Sequence, residues 1–330
     1  MPQILGKEIG PIGYGLMGLT WRLNAKDVEE SIQVMKTALD AGCNFWNGGE
    51  FYGTPEYNSL HLLNQYFTKY PEDADKVILS IKGALSHAGG GPDPSPEGIK
   101  RSVENCLKVL DGKKKIDLFE SARMDKKTPI EDTVKAIDDY VKAGKIGGIS
   151  LSEVSAATIH RAAKVAKIAA CEVELSMFSL DILNNGVAAA CAEHNIPIVA
   201  YSPLSRGLLT GDIKTPADLA ETDMRHHFPR FQGENYAKNL ELVQKVEELA
   251  REKGCTPAQL AINWVRHLSK RDGNPEIFPI PGATKVDRVL ENSKVVELSN
   301  GEAAAIYSIL KKFEVAGTRY PATHSTFLEG

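Results

Sequence analysis

The chain has 330 residues, 42% of them hydrophobic and 25% charged, with a formal net charge of -4 at pH 7. That balance is ordinary for a globular protein, and the lack of a basic excess argues against a nucleic-acid partner. Its apolar runs fall short of the ~20 residues that a membrane span needs. The opening MPQILGKEIG lacks the basic-then-apolar pattern of a secretory signal, so no membrane partner and a cytoplasmic or nuclear location are expected.

Taken in chain order, short apolar runs recur at Pro11–Leu16, Cys43–Trp46, Val77–Ile81, Ile116–Phe119, Ile146–Leu151, Ala169–Val173, Ile196–Tyr201 and Ile277–Ile280. Most lack polar alternation, as in parallel strands covered on both faces. Helical patterns lie between them. Asp27–Ala41 carries Val28, Ile32, Met35 and Leu39 on one face and stops at Gly42. Ser95-Pro96 opens a helix to Leu110, and Thr128-Pro129 opens another to Ala143. Val154–Ile168, Asn184–His194, Asn235–Gly254 and a segment from Thr256 to His267 follow. Eight strands alternating with helices predict a single-domain α/β fold, a (β/α)8 TIM barrel over residues 1–330. The extra length goes into a long loop and helices at 202–275 and a tail at 317–330, which either folds over the barrel mouth or hangs free.

The competing fold is doubly wound. Gly13-Tyr14-Gly15-Leu16-Met17-Gly18 fits GxGxxG, but that fingerprint needs a helix opening inside the motif. The next helical pattern starts near Asn24–Asp27. The glycines are therefore read as a tight strand-to-loop turn.

In a barrel the loops after the strands build the active site. The second strand runs into Asn47-Gly-Gly-Glu-Phe-Tyr52-Gly53, and the third ends at Lys82. An ammonium near a phenol lowers the phenol's pKa from about 10, which suits Tyr52 to act as a general acid. The seventh strand ends at Tyr201, followed by a turn with Arg206. An aromatic and a cation there suit a flat ring and a pyrophosphate. After Pro281-Gly282 a helix opens with Lys285 and Arg288 in its first turn. Cations there oppose the helix dipole and make sense around a phosphate. Trp21 and Phe51 are placed to wall a substrate pocket. Trp46 has a similar claim, subject to strand alternation. His226-His227 sits outside any zinc spacing, so no metal is expected. The five cysteines (Cys43, Cys106, Cys171, Cys191, Cys255) form no CxxC pair and fit reduced thiols.

GYGLMGLTW, FWNGGEFYG, SIKG, GGISLSE, YSPLSRGLLTG and PIPGATKVDRVLEN together make the chain similar to the aldo-keto reductases over nearly its whole length. The resemblance implies a (β/α)8 barrel that binds NADPH and reduces aldehydes and ketones. It implies that Tyr52 donates a proton, that Lys82 is its partner, and that Tyr201 stacks on the nicotinamide. Ser152, Glu153 and Glu172 stand at or beside the positions that hold its carboxamide. Ser202, Pro203, Leu204, Arg206, Gly207 and Leu209 would wrap the pyrophosphate. Gly282, Thr284, Lys285 and Arg288 would hold the 2′-phosphate, and Glu291 and Asn292 the adenine.

There are two departures from the family pattern. Asn47 stands where the family usually has an aspartate, and Ala122, beside Arg123, where it usually has a histidine. Asn47 can bond Lys82 but cannot neutralise it, so Lys82 is expected to remain a bare cation against Tyr52. GPIGYGLMGLTW, the GEFYG run and the Ala122-Arg123 pair resemble the fungal pyridoxal reductase branch. The reaction thus implied is reduction of pyridoxal to pyridoxine by NADPH. Arg123 would contact the substrate, and Arg123 or Glu50 would assist in place of the missing groups. The alternatives are another small or aromatic aldehyde as substrate, or a non-catalytic barrel that binds NADPH.

Overall fold

The computed structural model describes residues 2–21, 27–86, 91–125 and 127–321. Eight parallel strands form one sheet: β1 (Tyr14–Gly15), β2 (Phe45–Gly49), β3 (Ile78–Gly83), β4 (Ile116–Ser121), β5 (Ile146–Ser152), β6 (Ile168–Glu174), β7 (Ile198–Tyr201) and β8 (Ile277–Pro279). Each expected apolar run becomes one strand, with ends shifted by a few residues. The sheet curls back on itself. Gly13 N–H donates to Pro279 C=O at 2.9 Å and Gly15 N–H to Pro281 C=O at 3.2 Å. The fold is thus the expected (β/α)8 barrel, and the doubly wound alternative is excluded.

The glycine motif has a packing reason. A Cβ on Gly13 would lie 2.8 Å from Ile280 Cγ2 and 2.9 Å from Phe45 O, so only glycine lets β1 meet β8. One feature differs from expectation. A four-residue helix, Met17–Thr20, does open inside the motif. It is one turn long and starts before the expected 24–27 region, of which residues 24–26 lie outside the described residues.

The helices are α1 (Val28–Asp40), α2 (Ser59–Lys69), α3 (Pro96–Leu110), α4 (Ile130–Lys142), α5 (Ala156–Val165), α6 (Val187–Glu193), α7 (Gly233–Lys253), α8 (Pro257–His267), α9 (Val286–Asn292) and α10 (Asn300–Lys312). The helices α2 and α10 carry no proline start and escape the sequence reading. Both have capping boxes instead, Asn58 with His61 and Ser299 with Glu302. Among the described residues no helix is long and apolar enough to cross a membrane.

Two apolar layers follow from strands buried on both faces. Phe45, Ile78, Leu118, Val199 and Phe278 fill the barrel interior with Ile4, in the first strand of a two-stranded N-terminal hairpin, and Ile9, just after its second strand. Phe45 and Phe278 meet edge to face at 5.0 Å. The second layer lies between sheet and helices. Trp46 is fully buried against Tyr66 and Phe67 there, so it is a core residue and not a pocket wall.

A buried carboxylate braces the α2–β3 connection. Asp73 is fully enclosed and accepts from Tyr66 Oη at 2.8 Å, Lys76 Nζ at 2.8 Å and Lys36 Nζ at 3.1 Å. Burial alone would raise its pKa. The bonds from Lys76, Tyr66 and Lys36 reverse that and hold it below the usual carboxylate range. Its contribution is present above about pH 4 and is lost as pH falls through the lowered folded value. Asp73→Ala is expected to cost about 2 kcal/mol, because it strands the buried Tyr66 hydroxyl and removes the acceptor that Lys36 and Lys76 share. A calorimetric Tm within a degree of the parent would contradict this.

Candidate active site

Strand register brings the chemistry together at the carboxyl ends. Gly49 pairs with Lys82 across β2–β3, Lys82 with Glu120 across β3–β4, and Ser152 with Glu172 across β5–β6. Lys82 is 4% exposed, Glu120 0% and Glu172 2%. Tyr52 follows β2 on a bend held by Thr20 Oγ1, which donates to its carbonyl at 2.5 Å. A Cβ on Gly49 would lie 2.8 Å from the Tyr52 ring, so the glycine is what allows that ring to fold back over its own strand. Trp21 and Phe51 pack on Tyr52 at 5.3 and 4.9 Å between ring centroids. Trp21 remains 40% exposed and so forms an outer wall beside Tyr52.

The surroundings of Lys82 correct the sequence expectation. Lys82 is not a bare cation. Its Nζ lies 2.7 Å from Glu172 Oε1 and 3.5 Å from Glu120 Oε1. Asn47 Nδ2 donates to Glu172 Oε2 at 2.5 Å, so it bonds the carboxylate and not the lysine. The reason is topological, since β2, β3, β4 and β6 all point side chains into one barrel interior.

Burial would lower the lysine pKa, but Glu172, with Tyr52 and Glu120, outweighs it and holds the ammonium form. Tyr52 moves the other way from expectation. Burial pushes its phenol up to about 12, with Lys82 pulling down and Glu172 and Glu120 pushing up. Desolvation exceeds the ammonium's field, which the Glu172 carboxyl beside Lys82 opposes. Tyr52 is therefore an acid kept protonated across the neutral range.

Arg123 reaches the same space. Its Nη1 donates to Ala122 O at 2.6 Å and to Ser152 Oγ at 3.3 Å. Glu50 does not. Its carboxylate turns outward to Ser102 and to Asn105 Nδ2 on α3, the latter at 2.8 Å, so it is a packing group and cannot assist.

Beyond β7 the backbone turns left-handed at Ser202, Ser205, Arg206 and Gly207. Arg206 faces both oxygens of Glu174 at 3.3 Å, and its guanidinium lies 4.6 Å from the rings of Phe228 and Tyr320. Tyr320 Oη meets Tyr201 Oη at 3.1 Å, and Arg319 bonds Glu153 Oε2 at 2.5 Å. The start of the tail, 317–321, thus folds over the mouth; 322–330 lie outside the described residues. Glu153 also accepts from Glu174 N–H at 2.9 Å and adopts a left-handed φ of 51°. That strain, of order 1–3 kcal/mol for a non-glycine residue, is sustained by these bonds.

At β8 the expected helix α9 forms with Lys285 as its exposed N-cap. Arg288 is not a free cation there. It bonds Asp212 Oδ2 and Glu291 Oε2, each at 2.7 Å. Glu291, expected beside adenine, is thus engaged by Arg288. Thr284 is half-buried and Asn292 buried nearby.

One cluster left no local signal in the sequence. His160, Glu193 and His194 have ligand atoms within 4.8 Å of one another, on α5 and at the end of α6, at the side where β7 begins. Their separation in sequence hides it, and it lies opposite the strand ends that carry Tyr52 and Lys82.

The profile of the "Aldo/keto reductase family" matches residues 11–311. The chain is 42% identical to "Probable pyridoxal reductase 2" of Schizosaccharomyces pombe, over 97% of each chain. It is 38% identical to "Aldo-keto reductase yakc [NADP(+)]" of the same yeast, over 96% of this chain and 93% of that one. Its backbone superposes on a glycerol dehydrogenase from Gluconobacter oxydans with a TM-score of 0.82 at 24% identity, covering 96% of both. The closed barrel, the strand-end cluster and a match spanning most of its length together show that this chain belongs to the aldo/keto reductase family.

Proposed function

We propose that this protein reduces pyridoxal to pyridoxine with NADPH, using Tyr52 as proton donor. One observation carries the reading. A buried phenol held protonated stands beside a buried ammonium, under an aromatic wall at the strand ends. NADPH, when bound, supplies the hydride that the aldehyde carbon gains. Tyr52 gives its proton to the carbonyl oxygen, and Lys82 stabilises the phenolate left behind. Arg123 supplies a cation for the phenolic oxygen that pyridoxal carries beside its aldehyde. Trp21 and Phe51 offer faces to the pyridine ring and exclude water.

The residues fit the cofactor. Arg206, Arg225, Arg230 and Arg319 crowd the β7 loop, and Arg225 Nη1 bonds Arg206 O at 2.9 Å. Arg230 lies below the usual guanidinium range, through burial first and with Arg206 and Arg319 adding to it. Glu174, Asp223 and Glu153 already pair with Arg206, Arg225 and Arg319, so a diphosphate would compete with those carboxylates for the guanidinium groups. Thr284 and Lys285 would take the 2′-phosphate. Arg288 contributes only by leaving Asp212 or Glu291.

The direct test follows NADPH absorbance on adding pyridoxal, with simple aldehydes and NADH alongside. Pyridoxal-selective consumption supports the reading. NADPH binding without turnover on any carbonyl would sink it in favour of a non-catalytic nucleotide-binding barrel. Lys285→Ala is expected to raise KM for NADPH about 10-fold, the value of one lost charge-assisted contact. KM for NADH should hardly move. Equal effects on both cofactors would remove Lys285 from the phosphate site.

A further inference from the structure

We infer that Glu172 is the counter-charge and positioning residue of Lys82, and that Asn47 must be an amide because Glu172 is a carboxylate. This rests on the reductase reading for its catalytic consequence, though not for its geometry.

Lys82 is buried, and an isolated buried ammonium gives up its proton. Three groups of β2, β4 and β6 face it: Asn47, Glu120 and Glu172, with Tyr52 and Arg123 acting from the loops. Asn47 carries no charge. Glu172 makes the close contact, at 2.7 Å, while its second oxygen takes the Asn47 amide at 2.5 Å. Both Glu172 oxygens are therefore committed, and the carboxylate bridges β2 and β3 from across the barrel. Holding a nicotinamide carboxamide, the role that resemblance suggested for Glu172, would have to compete with these two bonds.

Glu120 completes the arrangement. Its Oε2 accepts from Ser150 Oγ at 2.8 Å, and its Oε1 is the buried side-chain atom with no hydrogen-bond donor among the described residues. Two ionised carboxylates against one ammonium would leave an uncompensated charge in the barrel. Burial, and then Glu172, push the Glu120 carboxyl well above its ordinary range. With Lys82 Nζ at 2.7 Å from Glu172 and 3.5 Å from Glu120, Glu172 is the carboxylate that pairs closely with the ammonium.

The polarity of this chain cannot be changed at a single position. Asn47→Asp turns the donor facing Glu172 Oε2 into a second acceptor. Glu172→Gln removes the anion from Lys82. Asn47→Asp with Glu172→Gln restores one donor, one acceptor and one negative charge with the roles exchanged.

The test compares the parent, both single variants and the double variant. Three quantities are read: kcat on pyridoxal, the dissociation constant for NADPH, and Tm without substrate. Glu172→Gln is expected to lower kcat about 10- to 100-fold, as for loss of a group that sets the acid's environment. NADPH affinity should stay within about threefold, well short of one lost hydrogen bond's full effect. It should also move the alkaline limb of kcat/KM to lower pH, because Glu172 holds the Tyr52 pKa up. Asn47→Asp alone should lower both kcat and Tm. The double variant should recover most of each. A double variant no better than Glu172→Gln overturns the proposal. So does a Glu172→Gln protein with unchanged kcat and weakened NADPH binding, which would return Glu172 to cofactor contact. If the parent turns over no carbonyl, the reductase reading fails, and Tm alone decides. Its recovery in the double variant upholds the pair, and its absence overturns it.

Discussion

Tyr52→Phe is expected to lower kcat for aldehyde reduction roughly 100- to 10,000-fold, the range for loss of a positioned general acid. NADPH binding should be retained. The substitution deletes one oxygen from a ring that Trp21, Phe51 and Gly49 hold in place, so packing survives. Single-turnover rates beside equilibrium titration of NADPH make the comparison. A Tyr52→Phe protein with more than a tenth of parental kcat would show that the proton comes from elsewhere. The pH dependence adds a second check. Reduction needs the protonated phenol, and burial holds its pKa up to about 12. The kcat/KM profile, which reports the free enzyme, should therefore show no loss attributable to tyrosine near pH 10.

Lys82→Met should cost both activity and stability, and the two costs can be separated. Removing the ammonium leaves Glu172 and Glu120 facing each other with no cation, and breaking a buried pair this way costs about 3–5 kcal/mol. Activity falls because Tyr52 loses the one group of its cluster that lowers its pKa most. The sign follows from the raised Lys82 pKa. The pair's contribution is full below the unfolded lysine value, near 10.4, and fades as pH rises through the higher folded value. Adding Glu172→Gln to Lys82→Met should restore much of the Tm, because the orphaned anion is gone, and none of the kcat. If the double variant melts as low as Lys82→Met alone, Glu172 is not the carboxylate that Lys82 compensates.

Much of the fold was legible because barrel strands are buried on both faces and read as unbroken apolar runs. The order of those runs, with helices between them, is a one-dimensional property that needs no contacts. Helix starts were visible at Pro96 and Pro129, where proline marks the first turn. They were invisible at Ser59 and Asn300, where the signal is a capping pair of ordinary polar residues. The strand-end positions of Tyr52, Lys82, Tyr201 and Lys285 were likewise readable, since a barrel's chemistry lies just past its strands.

What sequence could not supply was distance across the barrel. Asn47 and Glu172 are 125 positions apart, and Lys82 and Glu172 are 90 apart. No local pattern ties them, so Lys82 was expected to lack a counter-charge that the fold in fact provides. The same holds for Arg288 with Asp212, Arg319 with Glu153, and Glu50 with α3. Sequence by itself determined which residue types arrive at the strand ends, because period and punctuation set the elements. Tertiary structure alone decided which charges face each other there. In a closed barrel every strand projects side chains into one small dry interior, and pairing in that interior depends on register and curvature.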